Sequence, residues 1–263
     1  KEVLRIAAAD FCGALSFEPL VEQISILAEA CLQVSLEWAM EAVGVPSCDG
    51  FCVLGLGKLG GNEVNYSSDV DVLFAYDSSE PRGGDWAALC AGVARRIVEI
   101  LGRVTEEGRL FRVDARLRPQ GEVGPLIRSL DSYLAHYEAY GQPWERQALL
   151  KCRPVAGDMG LGARFVQGIA PFVFAKRLDE ESKSHLLTIK QRYERRLMGD
   201  GALESDVKQG HGGIRDIEFT VQVLQLICGA DDSSLREQGT LPALEALERG
   251  SYLTQKEACL LYT

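Results

Sequence analysis

The chain has 263 residues, 46% of them hydrophobic and 25% charged, the proportions of an ordinary soluble globular protein long enough for two domains. A net charge of −10 argues against a general nucleic-acid binder, which carries a basic surplus, although a local basic pocket is compatible with it. No apolar run approaches the roughly 18 residues that a membrane span needs, and no signal peptide opens the chain.

Eight cysteines stand at positions 12, 31, 48, 52, 90, 152, 228 and 259. None forms a C-x-x-C pair. Cys48 and Cys52 lack the second Cys or His pair that a zinc site needs. They read as buried small hydrophobes, reduced thiols of a cytoplasmic protein. The chain starts and stops inside helical patterns, so it reads as a piece of something longer.

Residues 1–10 are helical and uncapped. Ser16 and Pro19 mark the start of an amphipathic helix of about 24 residues, apolar at three-and-four spacing from Leu20 to Ala39, which Gly44 and Pro46 end. Phe51 to Leu54 is an apolar strand feeding a glycine-dense turn. A second strand then begins with Asp69 and Asp71. Strand side chains alternate, so these two carboxylates share a face. Pro81 to Gly84 form a turn, and Asp85 caps a helix carrying Trp86, Leu89, Val93, Ile97 and Leu101. Glu107-Gly108 leads into a strand over Arg109–Pro119. Its alternation sets Phe111, Val113, Ala115 and Leu117 against Arg112, Asp114, Arg116 and Arg118. Ser129 caps a helix over Leu130–Tyr140, and Pro143 starts another that stops before Pro154. Gly157 to Gly162 read as a loop and place the domain boundary. Beyond it the chain is nearly all helical, at 163–170, 179–198, 214–228, 240–249 and 254–263. Residues 206–219 interrupt this with an extended piece and a glycine turn.

The glycine turn has several readings. Gly55-x-Gly57-x-x-Gly60 after a strand matches a dinucleotide fingerprint, with Asp77 as ribose ligand. Only Lys58 to Ser68 separate the strands, however, and Asn65-Tyr66-Ser67-Ser68 is poor helix material, whereas a parallel crossover needs a dozen residues or more. A Walker A loop fails because no Ser or Thr follows Lys58. A purely structural turn stays open. Asp69 and Asp71 enter a strand that Val70, Val72, Leu73 and Phe74 mark as buried, and carboxylates there need a partner. Magnesium with nucleotide phosphate is the economical one, and Asp114 could complete a set holding two Mg²⁺ ions. Arg112, Arg116 and Arg118 could neutralise phosphate. An Asp–Arg salt-bridge ladder is the bland alternative. Gly210 to Gly213 lead into a helix N-terminus, which suits an anion but equally suits the carboxylates Asp216 and Glu218. His211 is the best-placed histidine and offers little. Lys190, Arg192, Arg195 and Arg196 read as a solvated helix face.

At G-L-G-K-L-G-G-N-E-V-N-Y-S-S-D-V-D-V-L-F the chain resembles the polymerase-β-like nucleotidyltransferases. Lys58 departs from their usual Gly or Ser. That departure fits one subfamily, the bacterial glutamine synthetase adenylyltransferase/adenylyl-removing enzymes. Their runs appear in order at Gly57–Gly61, Ser67–Asp71, Asp114–Pro119, Trp144–Arg146 and Gly212–Phe219.

The resemblance implies an α+β fold. A nucleotidyltransferase domain with a small mixed sheet and leading helices would occupy 1–158, and an all-helical domain 159–263. It implies Asp69, Asp71 and Asp114 as catalytic metal ligands, with two Mg²⁺. Gly57, Lys58, Gly60, Gly61, Ser67, Ser68, Arg116, Arg118 and Arg215 would hold phosphate and nucleotide, ADP or ATP. The family carries two halves acting on glutamine synthetase. One attaches AMP from ATP to a tyrosine. The other removes it by phosphorolysis, releasing ADP, with the PII signal protein as a partner of the full-length enzyme. Arg215 in G-G-I-R-D-I-E-F and Arg146 in W-E-R resemble the removing half, and the attaching half tends to have Thr at the Arg215 position. Removal needs no obligatory general base, because phosphate arrives ionised, which agrees with the lack of a convincing catalytic histidine. The attaching half is the alternative, and a non-catalytic module binding nucleotide or a signal protein is the second.

Overall fold

A computed structural model describes residues 1–79, 85–106, 108–175 and 213–262. The chain divides into two compact units, residues 1–140 with 151–169, and 141–150 with 170–263. The fold is α+β, a small mixed sheet with helices followed by a helical part. Among the described residues no helix is long and apolar enough to cross a membrane.

The first unit opens with α1 (Glu2–Phe11) and α2 (Phe17–Val43). The spacing signal is realised in α2. Leu20, Ile24, Ala28, Leu32, Leu36 and Ala39 form its buried stripe, and Gly44, at φ +78°, ends it. The strands β1 (Phe51–Gly55) and β2 (Val70–Tyr76) pair antiparallel, with Val53 opposite Phe74 and Gly55 opposite Val72. Between them sits α3 (Gly57–Gly60). Asp85 accepts from the Ala88 amide and caps α4 (Trp86–Gly102), which packs with α2 over the sheet.

Along its other edge β2 takes two short parallel partners. β3 (Val113–Asp114) lies beside its start and β4 (Ile127–Ser129) beside its end. β5 (Arg153–Gly157) pairs antiparallel with β1, with a register shift between Val53 and Leu54. The Ser129 hydroxyl caps α5 (Leu130–Tyr140), and α7 (Met159–Val173) follows β5. None of the eight cysteines forms a disulfide. Cys52, Cys90 and Cys152 are buried, and burial pushes the Cys52 thiol up to about 12.

Three expectations change. The strand over Arg109–Pro119 shrinks to Val113–Asp114, because the chain beyond turns into a loop held by Arg118. β4 and β5 were not expected. Pro154 reads as a helix stop, yet it lies in β5 at the sheet edge, where a missing N–H is tolerated. The loop expected at Gly157 to Gly162 is instead the end of β5 and the first turn of α7. There Asp158 accepts from the Gly50 and Leu161 amides.

In the second unit, Pro143 opens α6 (Pro143–Leu149) behind a Gln142–Glu145 capping box. Three further helices, α8 (Ile214–Cys228), α9 (Thr240–Arg249) and α10 (Gln255–Tyr262), close on Val221, Leu235, Ala243, Leu244, Leu247 and Ala258. The expected turn at Pro81–Gly84, the helix at 179–198 with Lys190, Arg192, Arg195 and Arg196, and the piece from 206 to Gly212 with His211 lie outside the described residues.

Candidate functional site

The site begins where β1 ends. The Leu56 amide donates to the Asp71 carbonyl at 2.9 Å, fixing the start of the turn to β2. Gly57 follows at φ +50°, and a Cβ there would sit 2.4 Å from Asp71 Oδ2. Gly60 is as tightly held from behind, since a Cβ on it would meet the Lys151 carbonyl at 1.9 Å. The G-K-L-G run is therefore glycine for two reasons, a left-handed backbone against a carboxylate and a close approach to Lys151, just ahead of β5.

The segment between the strands is anchored on α2. The buried Ser25 hydroxyl donates to the Val21 carbonyl at 2.7 Å and accepts from the Val64 amide at 3.0 Å. The Ser68 hydroxyl donates to Asn65 Oδ1 at 2.8 Å and accepts from the Asn65 amide, while Ser67 is exposed. Lys58 is half-buried.

Asp71 stands on β2 in register with Asp114 on β3. Strand neighbours lie about 4.8 Å apart, so these carboxylates share a face beside Gly57. Asp69 precedes β2 by one residue. Arginines meet Asp69 and Asp114. Arg112 Nε donates to Asp69 Oδ1 at 2.5 Å. Arg116 grips Asp114 through Nη2 at 2.6 Å, Nε at 3.0 Å and its own amide at 2.8 Å. The Arg116 side chain holds the Asp114 carboxyl below the usual range, against the pull of burial. Arg118 turns elsewhere. Its guanidinium donates to the carbonyls of Ala115, Glu122, Gly124 and Pro125, shaping the loop after β3.

The donor set suits a hard divalent cation, being all carboxylate oxygen. Among the described residues no group of three potential ligands is already gathered around one point. The Arg112 and Arg116 side chains are 62% and 64% exposed. The Asp69 side chain is 40% exposed and Asp114 only 16%. Exposed ion pairs contribute about 0–1 kcal/mol, so releasing Asp69 to a cation costs little, and releasing the more buried Asp114 costs more.

Asp77 lies apart from this. Because β1 and β2 are antiparallel, it sits at the far end of β2, past the pair Phe51–Tyr76. There the Ser79 hydroxyl and Arg164 draw its carboxyl down to about 2. It cannot serve a nucleotide on the glycine turn, which removes the dinucleotide reading.

Sequence reasoning missed the residues behind the turn. Arg153 Nε donates to the Gly60 carbonyl and Nη2 to the Leu59 carbonyl, each at 2.9 Å, and Nη2 also meets the Glu29 carboxylate. The buried Lys151 ammonium meets Glu63 at 2.7 Å. No local pattern flags them, because the run from Pro143 to Pro154 reads as one helix, and basic residues in a last helical turn are ordinary. In the second unit, the buried Arg146 donates to the Val173 and Ala175 carbonyls. Arg215 is exposed on the first turn of α8.

Residues 1–168 match the family model described as glutamate-ammonia ligase adenylyltransferase, and residues 174–262 match that of the GlnD PII-uridylyltransferase. The relative from Streptomyces avermitilis is 40% identical over 98% of the chain and 26% of its own length. Those from Nitrosococcus oceani and Methylococcus capsulatus are 38% and 39% identical over 100% and 99% of the chain, each over 29% of its own length. All three are named bifunctional glutamine synthetase adenylyltransferase/adenylyl-removing enzymes. The chain thus spans between a quarter and a third of the length of these relatives.

Proposed function

The chain belongs to the glutamate-ammonia ligase adenylyltransferase family, and from that premise we propose that it removes AMP from the adenylylated tyrosine of glutamine synthetase by phosphorolysis. The observation that carries nucleotidyl transfer is the meeting of Gly57, Asp71 and Asp114 at one end of the sheet. The direction rests on Arg146 and Arg215, which resemble the removing half.

In this reading hydrogen phosphate attacks the adenylyl phosphorus in line. A new P–O bond forms, the bond to the tyrosine oxygen breaks, and the phosphate's proton passes to the leaving phenolate. ADP and free tyrosine result. Asp69, Asp71 and Asp114 would hold two Mg²⁺ ions, which when bound neutralise and orient the reacting phosphate oxygens. The backbone of Gly57 to Gly61, with Lys58, lines the phosphate, and Ser67 and Ser68 face the nucleotide. Arg112 and Arg116, displaced from their carboxylates, turn to phosphate oxygens, which guanidinium groups grip well. Arg118 keeps the loop after β3 in shape for them. The match of residues 174–262 to a PII-uridylyltransferase model supports a PII signal protein as a partner of the longer polypeptide.

The test supplies adenylylated glutamine synthetase, phosphate and Mg²⁺. ADP is expected only when phosphate is present, and Asp69→Asn or Asp71→Asn should abolish it while leaving the unfolding curve in place. Consumption of ATP with unmodified glutamine synthetase and release of pyrophosphate would reverse the direction assigned. Full turnover in the double variant would end the nucleotidyl-transfer reading.

A further inference from the structure

We infer that Arg153, steered by Glu29, is the positioning residue that holds the glycine turn against Asp71. This rests on the reading above, since it gives that turn a task. α3 is a single helical turn between two strands, with little apolar surface of its own beyond Leu59. A turn so short does not persist by propensity. Something outside must fix it, and its two ends are held by different means.

At its front, Gly57 abuts Asp71 Oδ2. At its back, the last carbonyls of a helix lack partners within it. Arg153 supplies them. Its planar fork reaches Leu59 and Gly60 together, each at 2.9 Å, a two-point grip that a lysine ammonium cannot reproduce. Glu29, on α2, takes the same Nη2 and stops the guanidinium from turning away. Arg153 is itself the first residue of β5, paired with Gly55, the residue that ends β1. The neighbouring Lys151 carbonyl leaves no room for a Cβ on Gly60. Pressure from β5 is thereby transmitted through four residues to the carboxylate. Loosening the fork lets α3 retreat and Asp71 lose its aim.

The experiment compares Arg153→Lys and Glu29→Gln with the parent by site-resolved amide exchange and by the Mg²⁺ dependence of adenylyl removal. The Gly60 and Gly61 amides bond to the Leu56 and Gly57 carbonyls at 2.9 and 3.0 Å and report on α3 directly. They should exchange about tenfold faster in both variants, while amides at the centres of β1 and β2 keep their rates. The Mg²⁺ concentration for half-maximal turnover should rise about tenfold, as for other residues that orient a ligand without touching the ion. Unchanged Gly60 and Gly61 rates would overturn the inference. So would an equal rise across β1 and β2, which would mark Arg153 as general support. If Arg153→Lys fails to fold, Glu29→Gln decides alone. A parent that releases no ADP would overturn the phosphorolysis reading only, and the exchange pattern would still judge Arg153.

Discussion

Alanine at Gly57 is expected to separate activity from folding, and alanine at Gly60 to join them. The new Cβ at position 57 would lie 2.4 Å from Asp71 Oδ2, the far end of a rotatable side chain. That oxygen can swing away. The stability cost is then chiefly the left-handed backbone at φ +50°, about 1–2 kcal/mol for a residue with a Cβ. For a unit of this size that lowers Tm by roughly 2–8 °C. Turnover suffers far more, because an Asp71 carboxylate pushed aside by about 1 Å costs on the order of a hundredfold. At position 60 the Cβ would meet two backbone oxygens, Lys151 at 1.9 Å and Gly55 at 2.8 Å. Neither can rotate away, so the turn must part from the end of β1 and from the chain entering β5, and the loss should exceed about 4 kcal/mol. Thermal unfolding and ADP release from adenylylated glutamine synthetase, measured on both variants, read the two quantities. Full turnover in Gly57→Ala, or a Gly60→Ala protein no less stable than Gly57→Ala, would refute the account of the turn.

Replacing Asp77 tests the far end of β2. Its carboxyl lies at about 2 instead of the ordinary 3.8, so it contributes stability above the unfolded value that is lost as pH falls toward 2. Asp77→Asn should be less stable than the parent at neutral pH and converge with it below about pH 2, in denaturant titrations across that range. Tyr133→Phe removes a buried hydroxyl that donates to the Phe74 carbonyl at 3.0 Å. A loss of about 0.5–1.5 kcal/mol is expected in chemical unfolding, with adenylyl removal unchanged. Arg112→Gln frees Asp69, so calorimetric Mg²⁺ binding without nucleotide should tighten by up to about fivefold, the equivalent of an exposed ion pair. Weaker binding would mean the pair shapes the site instead of competing for it.

Much of this was legible in the sequence because it is local. Ser16 to Gly44, Asp85, Ser129 and Pro143 declare their helices through caps and spacing, and α8 and α9 end where the pattern ends. The β1–turn–β2 unit reads equally well, since its apolar runs and short gap lie within 30 residues. Alternation set Asp114 on one face with Arg112, Arg116 and Arg118, but its register beside Asp71 depends on the distant pairing of β2 with β3. The illegible part depends on distant partners. β5 is visible only once Val53 is known to pair with Ala156, and β4 only once Phe74 meets Ile127. Arg118 shares the alternation of Asp114, but the chain leaves the sheet after Asp114 and sends that side chain into its own loop. Arg153 and Glu29 are 124 residues apart, and no period joins them.

The central position of β1 has a consequence for how the polypeptide acquires its shape as it is made. β1 finds β2 after one short excursion, but its other neighbour, β5, is encoded about a hundred positions later. Pairings of such sequence separation close slowly, because the intervening chain must first be ordered. During synthesis the N-terminal part folds as it emerges. The β1–β2 ribbon and its glycine turn therefore leave the ribosome complete in residues yet with both edges bare, β2's until β3 and β4 are made and β1's until β5, and wait for the arginine that secures them. An unpaired edge adjoining Phe51 to Leu54 is an invitation to wrong pairing. The nascent chain is most exposed to misassembly between the synthesis of Tyr76 and that of Gly157, the interval in which its chemistry is written but not yet held.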